Sequence, residues 1–168
     1  MNISIPFGDQ FFTNQSYISF TRSQCVDSPG EPRKFKNAIT SWIDGSQVYG
    51  SDNETNCALR SFKNGKLKTS GNPGEELLPL FGTFFRAGDV RAIENAVLAS
   101  YHTIFVREHN RLCDTILAAN PSYNDETIFQ IARNYVIGLL QKIVMKDFLP
   151  HLLGDSYNQI VGQYQGYK

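Results

Sequence analysis

Apolar and polar positions along this chain follow two regimes. Residues 1 to 38 hold Pro, Gly, Asp, Ser and isolated aromatics with no sustained period of 2 or 3.6, which predicts irregular chain wrapped on something larger. In ITSWIDGSQVYG, Ile39 to Gly50, apolar and small polar residues alternate and Gly45 and Gly50 punctuate the run, so it reads as a structured loop. Residues 51 to 88 read as a short helix and turns. Asn53 is a fair N-cap for a helix over Glu54 to Phe62, and in KNGKLKTSGNPGEE the Asn64-Gly65 pair is the best hairpin turn.

From 89 to 149 the rhythm is helical. Asp89 can cap a first long helix in which Ile93, Val97, Tyr101, Ile104, Phe105, Leu112 and Ile116 recur at helical spacing, until Asn120-Pro121 stops it. That run spans about 28 residues counted from the pattern. A second helix opens between Ser122 and Asp125 and carries Ile128, Ile131, Ala132, Tyr135, Val136, Leu139, Leu140, Ile143 and Val144, the strongest periodic signal in the chain. It is expected to end around Pro150, leaving a Gly- and Tyr-rich tail over 150 to 168 with little order of its own. The fold class is therefore mainly α, with two long helices, irregular loops and little β.

Composition acts chiefly by exclusion. A chain of 168 residues suits one compact domain or part of one. Lys plus Arg and Asp plus Glu number 16 each, so no long-range field draws the protein toward nucleic acid or an anionic membrane. No apolar run approaches the roughly 20 residues of a bilayer-spanning helix, and the N-terminus shows no basic stretch followed by an apolar one. Cys25, Cys57 and Cys113 lie far apart without zinc-type spacing. A Cys25 to Cys57 disulfide stays open, and Cys113, inside a helical pattern, reads as a small buried apolar group. Glycosylation triplets at Asn2 (NIS), Asn14 (NQS) and Asn53 (NET) lean toward an extracellular or secretory location.

The candidate chemistry sits where charge enters the first long helix, in RAGDVRAIENAVLASYHTIFVREHNRL, Arg86 to Leu112. Arg91 and Glu94, three residues apart, share a face about a turn beyond Asp89 and can serve one site, although spacing alone favours a surface ion pair. The polar block Arg107 to Arg111 interrupts the apolar stripe, so that turn is either solvated or tied into a buried network. His109 reads as a hydrogen-bonded structural histidine, as do His102 and His151.

AGDVRAIEN, followed at the right distance by HTIFVREHNRL, resembles the animal-type haem peroxidases, the family that includes myeloperoxidase, lactoperoxidase and peroxidasin. The likeness runs along most of the chain: IPFGDQFF and FTRS, NAITSWIDGSQVYGS, LRSF with KNGKL and LLPL, NDETIFQIAR and IVMKDFLPHLLG. It implies a haem-dependent oxidoreductase that uses hydrogen peroxide to oxidise halide, phenolic or protein substrates. Arg91 matches the family's distal-side arginine, whose fixed guanidinium suits the negative charge that builds on the departing oxygen when the O–O bond breaks. Glu94 matches the glutamate that in many members forms an ester with a haem methyl group. The resemblance makes the Arg107 to Arg111 block buried structural support. Thr40, Trp42, Asp44 and Ser46 match the family's calcium loop, with hard oxygen donors at alternate positions of the chain.

The same resemblance implies what is not here. The family's distal histidine, a second calcium aspartate and a second ester-forming acid match nothing in this chain and belong upstream of IPFGDQFF; the proximal histidine belongs downstream of YQGYK. The three histidines present match other family positions. Asn95 stands where myeloperoxidase has a haem-linked methionine, so only an ester linkage is expected, and no cysteine precedes Cys25 to form the family's disulfide in that region. The expectation is the central segment of a peroxidase domain, missing flanking parts, weak in haem binding and inactive as an isolated chain. A noncatalytic scaffold derived from a haem peroxidase is the alternative.

Overall fold

The computed structural model describes residues 1–21, 25–26, 32–37 and 39–157. The chain divides into two compact units, Met1–Ala38 and Ile39–Lys168. In the first, short antiparallel ladders join β1 (Asn2–Ser4) to β2 (Tyr17–Ser19) and β3 (Cys25–Val26) to β4 (Lys34–Phe35), so the region read as irregular chain contains small β pairings.

The second unit is helical. Its elements are α1 (Ser46–Tyr49), α2 (Asn53–Leu59), a hairpin of β5 (Leu80–Phe81) and β6 (Phe84–Phe85), a 3-10 turn over Val90–Ile93, α3 (Ala96–Ala119), α4 (Asp125–Lys142), a π-helical stretch over Ile143–Phe148, and α5 (Leu149–Leu153). This mostly helical architecture with few short strands is the expected fold class. Several boundaries differ from the sequence reading for identifiable reasons. Part of the loop Ile39 to Gly50 is the helical turn α1. The cap of α2 is Asp52, whose carboxylate accepts the Thr55 N–H at 2.7 Å, and α2 stops at Leu59 because Arg60 turns extended. Between Lys63 and Lys66 the chain makes the expected tight turn, with φ of 55° at Asn64 and 74° at Gly65. Gly65 is obligatory there, since a Cβ would stand 2.6 Å from the Phe129 nitrogen.

Pro150 does not end the second helix; the chain widens into π geometry before it and continues to Leu153. In that register the Leu149 N–H bonds to the Val144 carbonyl, so the next carbonyl, Met145, would face the nitrogen of Pro150, which has no hydrogen. The Tyr157 hydroxyl donates to Met145 instead. The remainder of the expected tail, 158–168, lies outside the described residues. Cys57 is an exposed free thiol.

The core lies where α3 and α4 fold back on one another, with Tyr49, Leu67, Leu78, Val106, Phe129 and Val136 in one cluster and Cys113, Ile128 and Ala132 in another. On α3, however, the buried positions are Val106, His109, Asn110 and Cys113, whereas Val97, Tyr101 and Ile104 of the expected apolar stripe are exposed. The C-terminal part of the expected stripe, Phe105, Leu112 and Ile116, does pack against the core; its N-terminal part does not.

Candidate functional site

Asp89 opens the 3-10 turn in extended conformation and accepts the Arg91 backbone N–H at 2.9 Å. The same carboxylate accepts Nε–H at 3.0 Å and an Nη2–H at 2.7 Å from the Arg91 side chain. Only 9% of the Asp89 side chain is exposed, against 63% for Arg91, so a seated carboxylate holds an outward-facing guanidinium. The Arg91 hydrogen bond keeps the Asp89 carboxyl below its ordinary pKa although burial opposes this, and Asp89 in turn raises that of Arg91.

The first long helix does not begin at Asp89. The 3-10 turn ends at Ile93, and Asn95 adopts extended backbone and starts α3 afresh, its Oδ1 accepting the Leu98 N–H at 3.0 Å. An amide side chain that can satisfy an orphan helix donor outcompetes continuation of the turn. Arg91 and Glu94 therefore share a tight turn, where positions i and i+3 eclipse, and not an α-helical face. The ion-pair partner of Arg91 is Asp89, two residues before it, and the exposed Glu94 carboxylate is one of the charges that raise the Arg91 pKa. Val90 in the turn and Val97 and Tyr101 early in α3, 90%, 64% and 58% exposed, leave uncovered apolar surface. An apolar cavity of about 650 Å³ opens beside it, lined by Ile93, Asn95, Ala96, Ala99 and Ile104, with Arg107 at its polar edge.

The turn rests on α1. A Cβ on Gly88 would stand 2.2 Å from the Ser46 carbonyl oxygen and 2.3 Å from the Gly50 nitrogen, so only glycine fits. Next to it the Asp89 N–H donates to the Gln47 carbonyl at 3.2 Å. The segment feeding into α1 is the loop from Thr40. Its Asp44 carboxylate accepts the Ser46 N–H at 2.9 Å, and the Thr40 and Ser46 hydroxyl oxygens are 3.1 Å apart. Burial works to raise the Asp44 pKa, yet hydrogen bonds from Ser46 and Thr40 together leave it lowered. Thr40, Asp44 and Ser46 thus converge. The Trp42 side chain is 80% exposed, so Trp42 could bring only backbone to such a cluster. Among the described residues no three His, Cys, Asp or Glu side chains gather as a metal site. The donor set at this loop is one carboxylate with hydroxyls, which suits part of the shell of a hard cation.

The Arg107 to Arg111 block divides between solvent and core. Arg107 donates to the Glu76 carbonyl at 3.1 Å and to the Glu75 carbonyl, and Arg111 pairs with Glu108 at 2.8 Å on the surface. His109 is fully buried: its Nε2 lies 2.9 Å from the Gly65 carbonyl and its Nδ1 2.9 Å from the Tyr49 hydroxyl. A carbonyl can only accept, so Nε2 carries the hydrogen. Burial drives the His109 pKa down to about 4, which leaves Nδ1 bare to accept from Tyr49. Tyr49, His109 and Phe129 meet edge to face with ring centroids 5.3 to 5.9 Å apart. Asn110 clamps the Leu67 backbone, accepting its N–H at 2.8 Å and donating to its carbonyl at 3.1 Å. Cys113 is buried as expected, its thiol pushed up to about 12 by desolvation.

Sequence reasoning missed two participants. From sequence Asp89 reads only as a helix cap, and nothing local marks Gly88. The Gly-Asp pair two residues before an arginine was the available signal, but the contact it makes is with a residue more than forty positions earlier.

Comparison with known proteins gives this arrangement a family. The animal haem peroxidase family model matches residues 1–168, and the chain belongs to that family. It is 35% identical to peroxidase mlt-7 of Caenorhabditis elegans over 97% of its own length and 24% of that protein's. It is also 35% identical to lactoperoxidase of Mesocricetus auratus, covering 99% of this chain and 27% of that one. The chain thus spans about a quarter of the length of these curated relatives. Among solved structures, peroxidase A of Dictyostelium discoideum superposes with a TM-score of 0.74 at 27% identity, covering 89% of this chain and 35% of that one. Fatty acid alpha-dioxygenase of Arabidopsis thaliana gives 0.70 at 27% identity, covering 94% and 24%.

Proposed function

We propose that this chain forms the central part of a haem peroxidase catalytic domain, in which Arg91 works on hydrogen peroxide, Glu94 contacts or esterifies the haem edge, and Thr40, Trp42, Asp44 and Ser46 contribute to a calcium site. The observation that carries the reading is the 89–95 turn itself: a guanidinium fixed on one side and open on the other, beside an exposed carboxylate and uncovered apolar side chains. Such a mixture fits a flat, largely apolar macrocycle with a reacting centre at its middle. A bound haem would supply the electrons that reduce the peroxide and recover them from a halide, phenolic or protein donor.

Arg91 has five N–H groups and gives two side-chain ones to Asp89, so its Nη1 donors remain for a peroxide oxygen. They would meet the charge that develops on that oxygen as the O–O bond lengthens, the role a preorganised donor performs best. Glu94, on the same turn, would fix the macrocycle relative to those donors. Axial ligation and proton transfer at the distal side are expected from histidines in flanking parts of the domain, which would also cover Val97, Tyr101 and Ile104. Asp44 and the Thr40 and Ser46 hydroxyls would hold calcium together with the Trp42 carbonyl and an acid from elsewhere. Exposed Asn2, Asn14 and Asn53 support an extracellular, glycosylated protein. Among the described residues no helix is long and apolar enough to cross a membrane.

The test is haem titration of the chain, alone and joined to flanking peroxidase segments, followed in the Soret band. Weak binding alone and tight binding in the joined protein are expected, with peroxide turnover only in the latter. Arg91→Lys should lower the rate of reaction with peroxide by about 10² to 10³-fold. Tight, histidine-ligated haem in the isolated chain would refute the assignment of the ligands to flanking parts.

A further inference from the structure

We infer that Asp89 is the positioning residue of this site, holding the Arg91 guanidinium in the orientation that leaves its Nη1 donors facing outward; the inference rests on the proposed peroxidase role of Arg91. One carboxylate engages three N–H groups of one residue, with Nε–H also 3.3 Å from Oδ2. Oδ1 accepts the Arg91 backbone N–H and Nε–H at 2.9 and 3.0 Å, and Oδ2 accepts Nη2–H at 2.7 Å. Because the guanidinium is planar, contacts at Nε and Nη2 set the direction of Nη1 as well.

The carboxylate is itself fixed from behind. Gly88 is seated against Ser46 and Gly50 at distances no other residue allows, and the Asp89 N–H is bonded to Gln47. An arginine 63% exposed would otherwise sample many rotamers, and each would carry the donors away from the reacting oxygen. The other arginines of the neighbourhood lack this construction: Arg107 reaches backbone carbonyls, and Arg111 meets a carboxylate on its own helix surface. Asp89 touches neither peroxide nor haem in this scheme and acts wholly through Arg91.

The experiment compares the haem-loaded domain with its Asp89→Asn, Arg91→Lys and Glu108→Gln variants. Asn at 89 keeps an oxygen for the turn's cap and loses the charge and one of the two carboxylate oxygens. Two readouts are taken: the bimolecular rate with hydrogen peroxide, and the Nε–H signal of Arg91 in 15N-resolved spectra of the haem-free chain. Asp89→Asn should lower the peroxide rate by about 10²-fold while leaving KM for the reducing donor unchanged, and should shift the Arg91 Nε–H signal to that of a freely rotating arginine. Backbone signals of Ala92 and Glu94 should stay in place, and Glu108→Gln should leave both readouts unchanged. An unaltered peroxide rate in Asp89→Asn, with Arg91→Lys impaired, overturns the positioning role. An unaltered rate in Arg91→Lys overturns the peroxidase role of Arg91 itself, even where the Nε–H signal reports an intact clamp.

Discussion

Two charged turns on one stretch of chain, Asp89–Asn95 and Arg107–Cys113, use their polar groups in opposite ways. In the second, both nitrogens of His109 and both ends of the Asn110 amide are bonded inside the protein. In the first, Asp89 binds one edge of Arg91, while the rest of the guanidinium and the Glu94 carboxylate face outward from an apolar surround. The conspicuous block is architecture, joining α1, the Gly65 turn and α3. The quieter turn is where a ligand can still bind. A saturated polar network has nothing left to offer a substrate; a half-satisfied one on a rigid base does.

Breaking the saturated side should have the largest effect. His109→Ala removes a buried ring, strands the Tyr49 hydroxyl and leaves the Gly65 carbonyl only the weak Cys113 thiol donor, so unfolding stability should fall by about 3 to 5 kcal/mol in denaturant titration. A His109→Ala protein as stable as the parent would make the network dispensable. Acid should act on the same group. His109 has a folded pKa of about 4, below the roughly 6.5 of an unfolded histidine, so the unfolded chain takes up the proton first. Stability from this group is complete above the unfolded value and is lost as pH falls toward the folded one, by on the order of 3 kcal/mol. Denaturation midpoints between pH 7.5 and 4.5 should show that slope, and His109→Gln should flatten it.

A smaller effect is expected where the two regions share a base. Gly88→Ala places a methyl against backbone that cannot swing aside, costing about 1 to 3 kcal/mol, and should also loosen Arg91. Hydrogen exchange at Ala92 and Glu94 would report this, and unchanged protection would separate the turn from α1. The smallest effect sharpens the contrast from the surface side. Glu108→Gln breaks an exposed ion pair and should leave the unfolding midpoint within error.

Much of the fold was legible because its signals are local. The Asn64-Gly65 turn follows from which residues tolerate positive φ, and α4 follows from an apolar stripe of which Ile128, Ala132, Val136 and Leu140 are buried. Failures arose where two local preferences competed. Asp89 and Asn95 are both good caps, and only the fold shows that both are used, splitting one expected helix into a 3-10 turn and α3. Pro150 is a helix stop by itself, but π geometry and the Tyr157 hydroxyl accommodate it. The resemblance singles out Arg91, Glu94 and the Thr40 to Ser46 loop, which no local pattern marks.

The helical class, the two long periodic segments, the buried fate of Cys113 and the family motifs can all be read from the residues alone. Those features depend on spacing and side-chain type within a few turns of chain. Folding adds that Val97, Tyr101 and Ile104 lie exposed, that His109 is held between Tyr49 and Gly65, and that Asp89 and not Glu94 holds Arg91. These depend on which distant backbone arrives beside each residue, and at Gly88 that arrival is close enough to exclude even a methyl group.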